Sequence, residues 1–342
     1  MSDSPIVLHV VEAFGGGVQS SLAHFIESSP FASHIVFGRA RDGESTEHPA
    51  ADVVMYKGGS VGFAREMRRL ARRVRPDVIH LHSSKAGLLR PLVPRGVRRA
   101  YSPHCYAFER LDVAQPVRRG FRLVEKVLAR FTDVVVAVSP HEAELASSLR
   151  ATTEVVAVSN LAPISSFLPN GIDAKRVVTI GRIAPQKAPG RFAQVADAAR
   201  DDIEFVWIGD GDPLLRRELE ESSVRVTGWL RPEEVREELR SAGLYLHTAD
   251  WEASPMSLAQ ALAAGVPLIC SRLETLESLG YYCVERSPER LARSVDDYFG
   301  DPDYAATVRL GAEHAVDVLL ANETPAGLRC AYTVSTIPGV ES

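Results

Sequence analysis

The stretch IVLHVVEAFGGGVQSSLAHFI, residues 6–26, decides the fold. Its opening run, Ile6 to Val11, is apolar apart from His9 and does not alternate, which marks a strand covered on both faces. The turn from Phe14 to Val18 is rich in glycine and leads straight into a helical stretch, Val18 to Ile26. Strand, tight turn and helix are the opening of a βαβ unit. Backbone N–H groups at such a turn, aided by the helix dipole, can meet a phosphate, which makes Gly16 and Gly17 candidates for phosphate binding. A glycine turn also serves ordinary strand-to-helix packing. The spacing is not G-x-G-x-x-G, and no acidic residue clearly closes the next strand.

The same rhythm runs outward from this segment. Apolar runs recur at His34 to Phe37, Asp52 to Tyr56, Val78 to Leu81, Arg99 to Ser102 and Val134 to Val138, separated by helical stretches at Phe63 to Val74, Val117 to Phe131 and His141 to Leu149. From Ser159 to Lys175 the rhythm breaks into Asn, Pro, Ser and Gly, the composition of a hinge. A second alternating series then follows from Val177 to Phe299. The reading is α/β, with two doubly wound parallel sheets of Rossmann type facing each other across a cleft. The expected boundaries are 1–162, 163–305, and a helical tail, 306–342, that packs back on the first domain. Open sheets of this kind bind ligands beyond their strand carboxyl ends, so the cleft is the expected site.

Composition narrows the function. The chain has 342 residues, of which 45% are hydrophobic and 24% charged, a globular profile with room for two cores. No run is long and apolar enough to span a bilayer, and Asp3 and a strand stand where a signal peptide would carry basic residues and a long apolar run, so a cytoplasmic location is expected. The four cysteines show no metal-ligand spacing, and no metal or cofactor is expected. Residues 1–160 carry 21 Lys/Arg against 16 Asp/Glu, and residues 161–342 carry 18 against 28. Between Arg65 and Arg130 the count is 17 basic to 5 acidic. Such a face attracts an anionic partner. It has neither a nucleic-acid recognition module nor enough aromatics for base stacking, whereas the arginines from Arg65 to Arg75 recur at helical spacing and suit an anionic membrane surface. A merely solvated face accounts for them equally well.

Three segments carry the chemistry. GRIAPQK, residues 181–187, sets Arg182 and Lys187 in a loop at a strand end, where two cations suit a diphosphate. HTADWEASPMSLAQALAAGVP, residues 247–267, follows a strand and opens a helix at Ser254 or Pro255. Free N–H groups near Ser254, Met256 and Ser257 form an anion pocket, with Glu252 before the helix and Gln260 inside it, both able to bond sugar hydroxyls. Surface roles fit Glu252 and Gln260 as well on spacing alone. Third, SPH at residues 102–104 puts His104 just past a strand end. There is no G-x-S-x-G elbow, no P-loop and no H-E-x-x-H.

Together these segments, with HLHSSKAG at residues 80–87, AVSP at 137–140, IGDGD at 208–212 and VTGWL at 226–230, resemble glycosyltransferase family 4, the retaining enzymes of the GT-B fold. The resemblance covers nearly the whole chain. It implies a hexosyl transfer from a nucleotide sugar, with a UDP-sugar favoured, to a hydroxyl of a lipid-linked or polysaccharide acceptor in cell-surface glycan synthesis. Retention, no required metal and a place at the inner membrane face come with it. In that family the loop cations, here Arg182 and Lys187, hold the diphosphate, and substituting them should spare folding. Glu252 matches the first of two family glutamates and contacts the sugar, while the second, at the ribose, is Gln260 here. His104 matches a histidine near the donor sugar that acts through its ring N–H or backbone carbonyl, and Trp229 and Leu230 flank the base. Ala253 stands where the family commonly has Gly. The alternatives are a non-catalytic nucleotide-sugar or phospholipid binding protein, kept open by Gln260, and an epimerase, which needs catalytic acids that this sequence lacks.

Overall fold

The computed structural model describes residues 4–40, 51–159, 166–171, 174–321 and 324–333. Residues 1–108, 115–159 and 322–342 form one compact unit, and residues 109–114 with 160–321 a second. The expected boundary at 162/163 lies outside the described residues.

The first unit runs β1 (Ile6–Phe14), α1 (Gly16–Glu27), β2 (Ser33–Ala40), β3 (Asp52–Met55), α2 (Ser60–Val74), β4 (Val78–His82), α3 (Ser83–Gly87), β5 (Arg98–Ser102), α4 (Gln115–Leu128), β6 (Val134–Ala137), α5 (Pro140–Leu149) and β7 (Glu154–Ala157). Its seven strands are all parallel, in the order β3-β2-β1-β4-β5-β6-β7. The apolar runs without alternation are buried on both faces: all five residues of β4 and all four of β6 are inaccessible. On one face Phe63, Met67 and Leu70 of α2 pack on Leu8, Val10, Ile79 and Leu81. On the other, Leu22 and Ile26 of α1 meet Val11 and Val36. Helix α1 starts at Gly16, two residues earlier than the sequence suggests, so the glycine turn supplies its first turn.

The second unit runs β8 (Arg176–Ile180), α6 (Pro189–Ala198), β9 (Glu204–Ile208), α7 (Pro213–Glu221), β10 (Arg225–Val226), α8 (Pro232–Arg240), β11 (Leu244–His247), α9 (Met256–Ala263), β12 (Leu268–Ser271), α10 (Glu274–Ser278), β13 (Cys283–Val284), α11 (Pro288–Gly300) and α12 (Pro302–Ala321). Its sheet is parallel in the order β10-β9-β8-β11-β12-β13. Proline at the first turn of α6, α7, α8 and α11 starts each helix where its missing N–H costs nothing. Phe192 and Trp207 anchor one core layer. The last helix, α13 (Thr324–Tyr332), packs on β5, β6 and β7 of the first unit. The segment expected as one tail from 306 is thus divided, because α12 buries Ala312, Ala315, Val316 and Leu319 in the second unit.

In each sheet the chain leaves the first strand in one direction and returns on its other side. The crossovers reverse between β1 and β4, and between β8 and β11. Crevices beyond the carboxyl ends of such paired strands are where doubly wound sheets take ligands.

Candidate functional site

In the second unit the loop after β8 and the loop after β11 lie against each other. The Asp250 N–H donates to the Gln186 carbonyl at 2.9 Å, Gln186 Nε2 to the Trp251 carbonyl at 3.0 Å, and the Thr248 hydroxyl to the Lys187 carbonyl at 3.1 Å. Arg191 of α6 pairs with Asp250 at 2.7 Å. The loop after β9 also approaches the loop after β8, and there only glycine fits. A Cβ on Gly209 would lie 2.2 Å from the Gly181 carbonyl oxygen, and one on Gly211 equally close to that of Ile183. Trp207 Nε1 donates to the same Gly181 carbonyl at 2.8 Å.

This zipper brings Lys187 and Glu252 together. Lys187 Nζ donates to Glu252 Oε1, and His247 Nε2 lies 3.6 Å from the same oxygen. Burial raises the Glu252 carboxyl, but the Lys187 ammonium and His247 more than offset this and hold it at about 2. Burial lowers the His247 imidazole, against the pull of Glu252 in the other direction. Among the described residues, both ring nitrogens of His247 and Ser257 Oγ lack a hydrogen-bond partner within 3.5 Å, and the N–H groups of Met256 and Ser257 at the start of α9 meet no backbone acceptor. Buried polar atoms seldom stay unpaired, which makes this corner the candidate place for a polar ligand in the second unit. The Lys187–Glu252 pairing is at odds with the expectation from sequence that substituting Lys187 spares folding. Removing it would strand a buried carboxylate.

The remaining second-unit candidates are more dispersed. Arg182 is exposed, as is Gln260, while Ser254 and Met256 are half-buried. Trp229 is 66% exposed. Leu230 leans on the core and lines a separate concavity with Arg176, Glu234 and Glu238.

In the first unit the sheet order sets the carboxyl ends of β1, β4, β5 and β6 in a row. Gly16 and Gly17 are exposed there, and a Cβ on Gly17 would meet nothing within 4 Å. Ser83, His104 and Cys105 hold positive φ angles of 70°, 50° and 81°. Non-glycine residues in that region cost about 1–3 kcal/mol each and cluster at functional sites. Glu142 of α5 offsets the strain at His104, since its carboxylate accepts from the Cys105 N–H at 2.8 Å and the Val138 N–H at 2.9 Å.

Sequence reasoning missed the histidines beneath. His9 and His80 face each other across β1 and β4, and with His82 they are fully buried. Ring nitrogens run in series: His104 Nε2 to His82 Nδ1, His82 Nε2 to His9 Nδ1, and His9 Nε2 to His34 Nδ1, each 3.0 Å. His80 bonds Tyr332 OH and Ser102 Oγ, both at 2.9 Å. Nitrogens of His9, His80 and His82 lie close enough to hold a cation, but hydrogen bonds within the protein already engage them. Burial, then neighbouring imidazoles, drive His80 and His82 well below the usual histidine range, and burial takes His104 to about 4. The signal available in sequence was polar residues inside strands otherwise wholly apolar.

Comparison with known proteins agrees with this architecture. Residues 32–160 match the family model described as glycosyl transferase 4-like domain, and residues 174–301 the one described as glycosyl transferases group 1. The chain is 22% identical over 298 residues, 79% of its length and 82% of the other, to an uncharacterized 41.2 kDa protein in the cps region of Klebsiella pneumoniae. Over 237 residues, 60% of each chain, it is 23% identical to the Escherichia coli UDP-Gal:alpha-D-GlcNAc-diphosphoundecaprenol alpha-1,3-galactosyltransferase. Among solved structures, Anabaena HepE in complex with UDP and glucose superposes with a TM-score of 0.73 at 14% identity, covering 95% of this chain and 97% of that one. WaaG, a glycosyltransferase involved in lipopolysaccharide biosynthesis, gives 0.72 at 13% identity, covering 96% and 100%.

Proposed function

We propose, from the premise that this chain belongs to the family 4-like glycosyltransferases of the GT-B fold, that it moves a hexose with retention from a UDP-sugar to a hydroxyl of a lipid-linked or polysaccharide acceptor. One observation carries the reading: the Lys187–Glu252 pair shares the second unit's site with the start of α9, where among the described residues the first N–H groups meet no backbone acceptor and Ser257 Oγ has no hydrogen-bond partner. A leaving diphosphate needs fixed positive charge and N–H donors where its own charge grows. Arg182, Lys187 and the Met256 and Ser257 amides supply them. An ammonium has three N–H donors, so Lys187 can keep Glu252 and still hold a phosphate oxygen. Glu252, ionised throughout, accepts from donor-sugar hydroxyls. As the bond from sugar carbon to phosphate oxygen breaks, the acceptor oxygen bonds that carbon and its proton passes to the departing phosphate. His104 is assigned to a substrate hydroxyl, and no metal is required by this scheme.

The E. coli relative is named for an acceptor linked to diphosphoundecaprenol, a lipid. A lipid-borne acceptor of that class would bring the first unit to a bilayer surface. No described helix is long and apolar enough to cross one. The deciding experiment is UDP release from a panel of UDP-sugars, with and without lipid-linked acceptor. Acceptor-dependent release that falls about 30- to 1,000-fold in Arg182→Ala is expected; UDP binding without any turnover would leave a binding protein instead.

A further inference from the structure

The four-histidine series has a direction, and one end fixes it. His34 Nε2 lies 3.0 Å from the Ser29 carbonyl oxygen and 3.2 Å from Ser29 Oγ, whose own proton goes to the Phe25 carbonyl. Both Ser29 atoms can only accept, so His34 must carry its proton on Nε2. In the neutral ring Nδ1 is then an acceptor, which requires His9 Nε2–H. The same step repeats at His9, which requires His82 Nε2–H, and at His82, which requires His104 Nε2–H.

We infer that Ser29, His34, His9 and His82 act as positioning residues that lock the His104 ring with its proton on Nε2 and its lone pair on Nδ1, so that the ring accepts a hydrogen bond from a substrate hydroxyl and does not donate one to it. This corrects the ring N–H role that the family resemblance implies, and it rests on the assignment of His104 to the substrate made above. Among the described residues Nδ1 of His104 has no hydrogen-bond partner, and the residue keeps partial exposure. Reversing the whole series would set a lone pair against the Ser29 carbonyl, and reversing part of it would set two N–H groups or two lone pairs face to face. Either way a buried polar atom is left unsatisfied, which favours the stated direction roughly 5- to 150-fold.

The test is nitrogen NMR of protein labelled in histidine, at neutral pH and without ligand, since one-bond and two-bond couplings separate the two tautomers. The proposal expects unprotonated Nδ1 in His34, His9, His82 and His104. A protonated Nδ1 in any of them overturns it. Two variants then separate direction from packing. His34→Gln offers an oxygen to His9 and an N–H to Ser29, keeping the direction, whereas His34→Leu removes it. The proposal expects His104 to be uniform in the Gln variant and mixed in the Leu variant. UDP release from UDP-galactose or UDP-glucose should fall about tenfold or more in kcat for His34→Leu, with KM little changed, and recover in His34→Gln. Uniform His104 in the Leu variant overturns the proposal. Should the tautomers follow the pattern while His104→Ala keeps full turnover, the series stands and the substrate role of His104 is what fails.

Discussion

At the scale of single residues, the second-unit site separates two cations that the sequence treats as a pair. Arg182 is exposed, so Arg182→Ala should cost about 2–4 kcal/mol of transition-state stabilisation and leave the melting temperature unchanged. Lys187→Ala should lose turnover and, by stranding Glu252, about 3–5 kcal/mol of stability as well; Glu252→Gln in the same chain should restore most of the stability and none of the turnover. Thermal melts alongside UDP release separate the two losses, and equal melting of both single variants would count against the buried pair. Gln260 is exposed on the same helix as buried Ser257, so a ribose contact there depends on the ligand alone. Gln260→Glu should tighten UDP binding by calorimetry through a charge-assisted bond; unchanged affinity in this variant and in Gln260→Ala would take the ribose away from α9. The histidines set the pH response. An unfolded histidine binds a proton below about 6.5, whereas folded His104 does so only below about 4. The unfolded chain therefore binds more protons across that window, and stability must fall as pH drops through it. Glu252 acts lower, because its contribution is present above about 4.5 and is lost toward about 2. Melting followed from neutral pH down to about pH 4 should show the first loss, and His82→Gln should flatten it.

At the scale of elements, α4 is unusual in what it leaves uncovered. Val117, Leu123, Val124 and Val127 are 43–64% exposed, next to a stripe of exposed Arg119, Arg122 and Lys126 at helical spacing. Its inward side is held by Glu125, which is paired with buried Arg90 at 2.6 Å and accepts from Tyr101 OH at 3.1 Å, while the Arg90 guanidinium stacks 3.9 Å over the Tyr101 ring. The arginines of α2, from Arg65 to Arg73, are exposed too, but the apolar residues of that helix, Phe63, Met67 and Leu70, are spent on the core. Of the two, α4 combines charge with free apolar surface, as a helix lying in a bilayer interface requires. Replacing Leu123 and Val127 together by Asp should abolish sedimentation with anionic vesicles at all salt concentrations. Replacing the α2 arginines should weaken only the salt-sensitive part. Equal sedimentation of the α4 variant and the parent would leave α4 a solvated helix.

At the scale of the whole molecule, the sequence displayed its strands wherever both faces are covered. The unbroken runs of β1, β4, β6, β11 and β12 were legible, and so was edge strand β3, while the equally half-buried edge strand β7 and the two-residue β13 were not. The site was legible as loops after strands, which is a local property. What could not be read was partnership: Lys187 and Glu252 lie 65 residues apart, and His9 and His82 lie 73 apart. They meet only because β8 neighbours β11 and β1 neighbours β4, which nothing local specifies. The same holds for the farthest contact of the histidine group, from His80 to Tyr332, 252 residues along the chain. Tyr332 sits on α13, which also gives the Ala331 carbonyl to Arg98 and Thr324 to Ser159. Deleting residues 322–342 should leave the second unit's melting intact and expose the first to protease, and equal resistance would show α13 to be dispensable. During synthesis the order of events is then inverted. The domain whose residues leave the ribosome first is the one that must wait, its sheet lacking a covering helix and its buried histidine a tyrosine, until the second domain has been made in full.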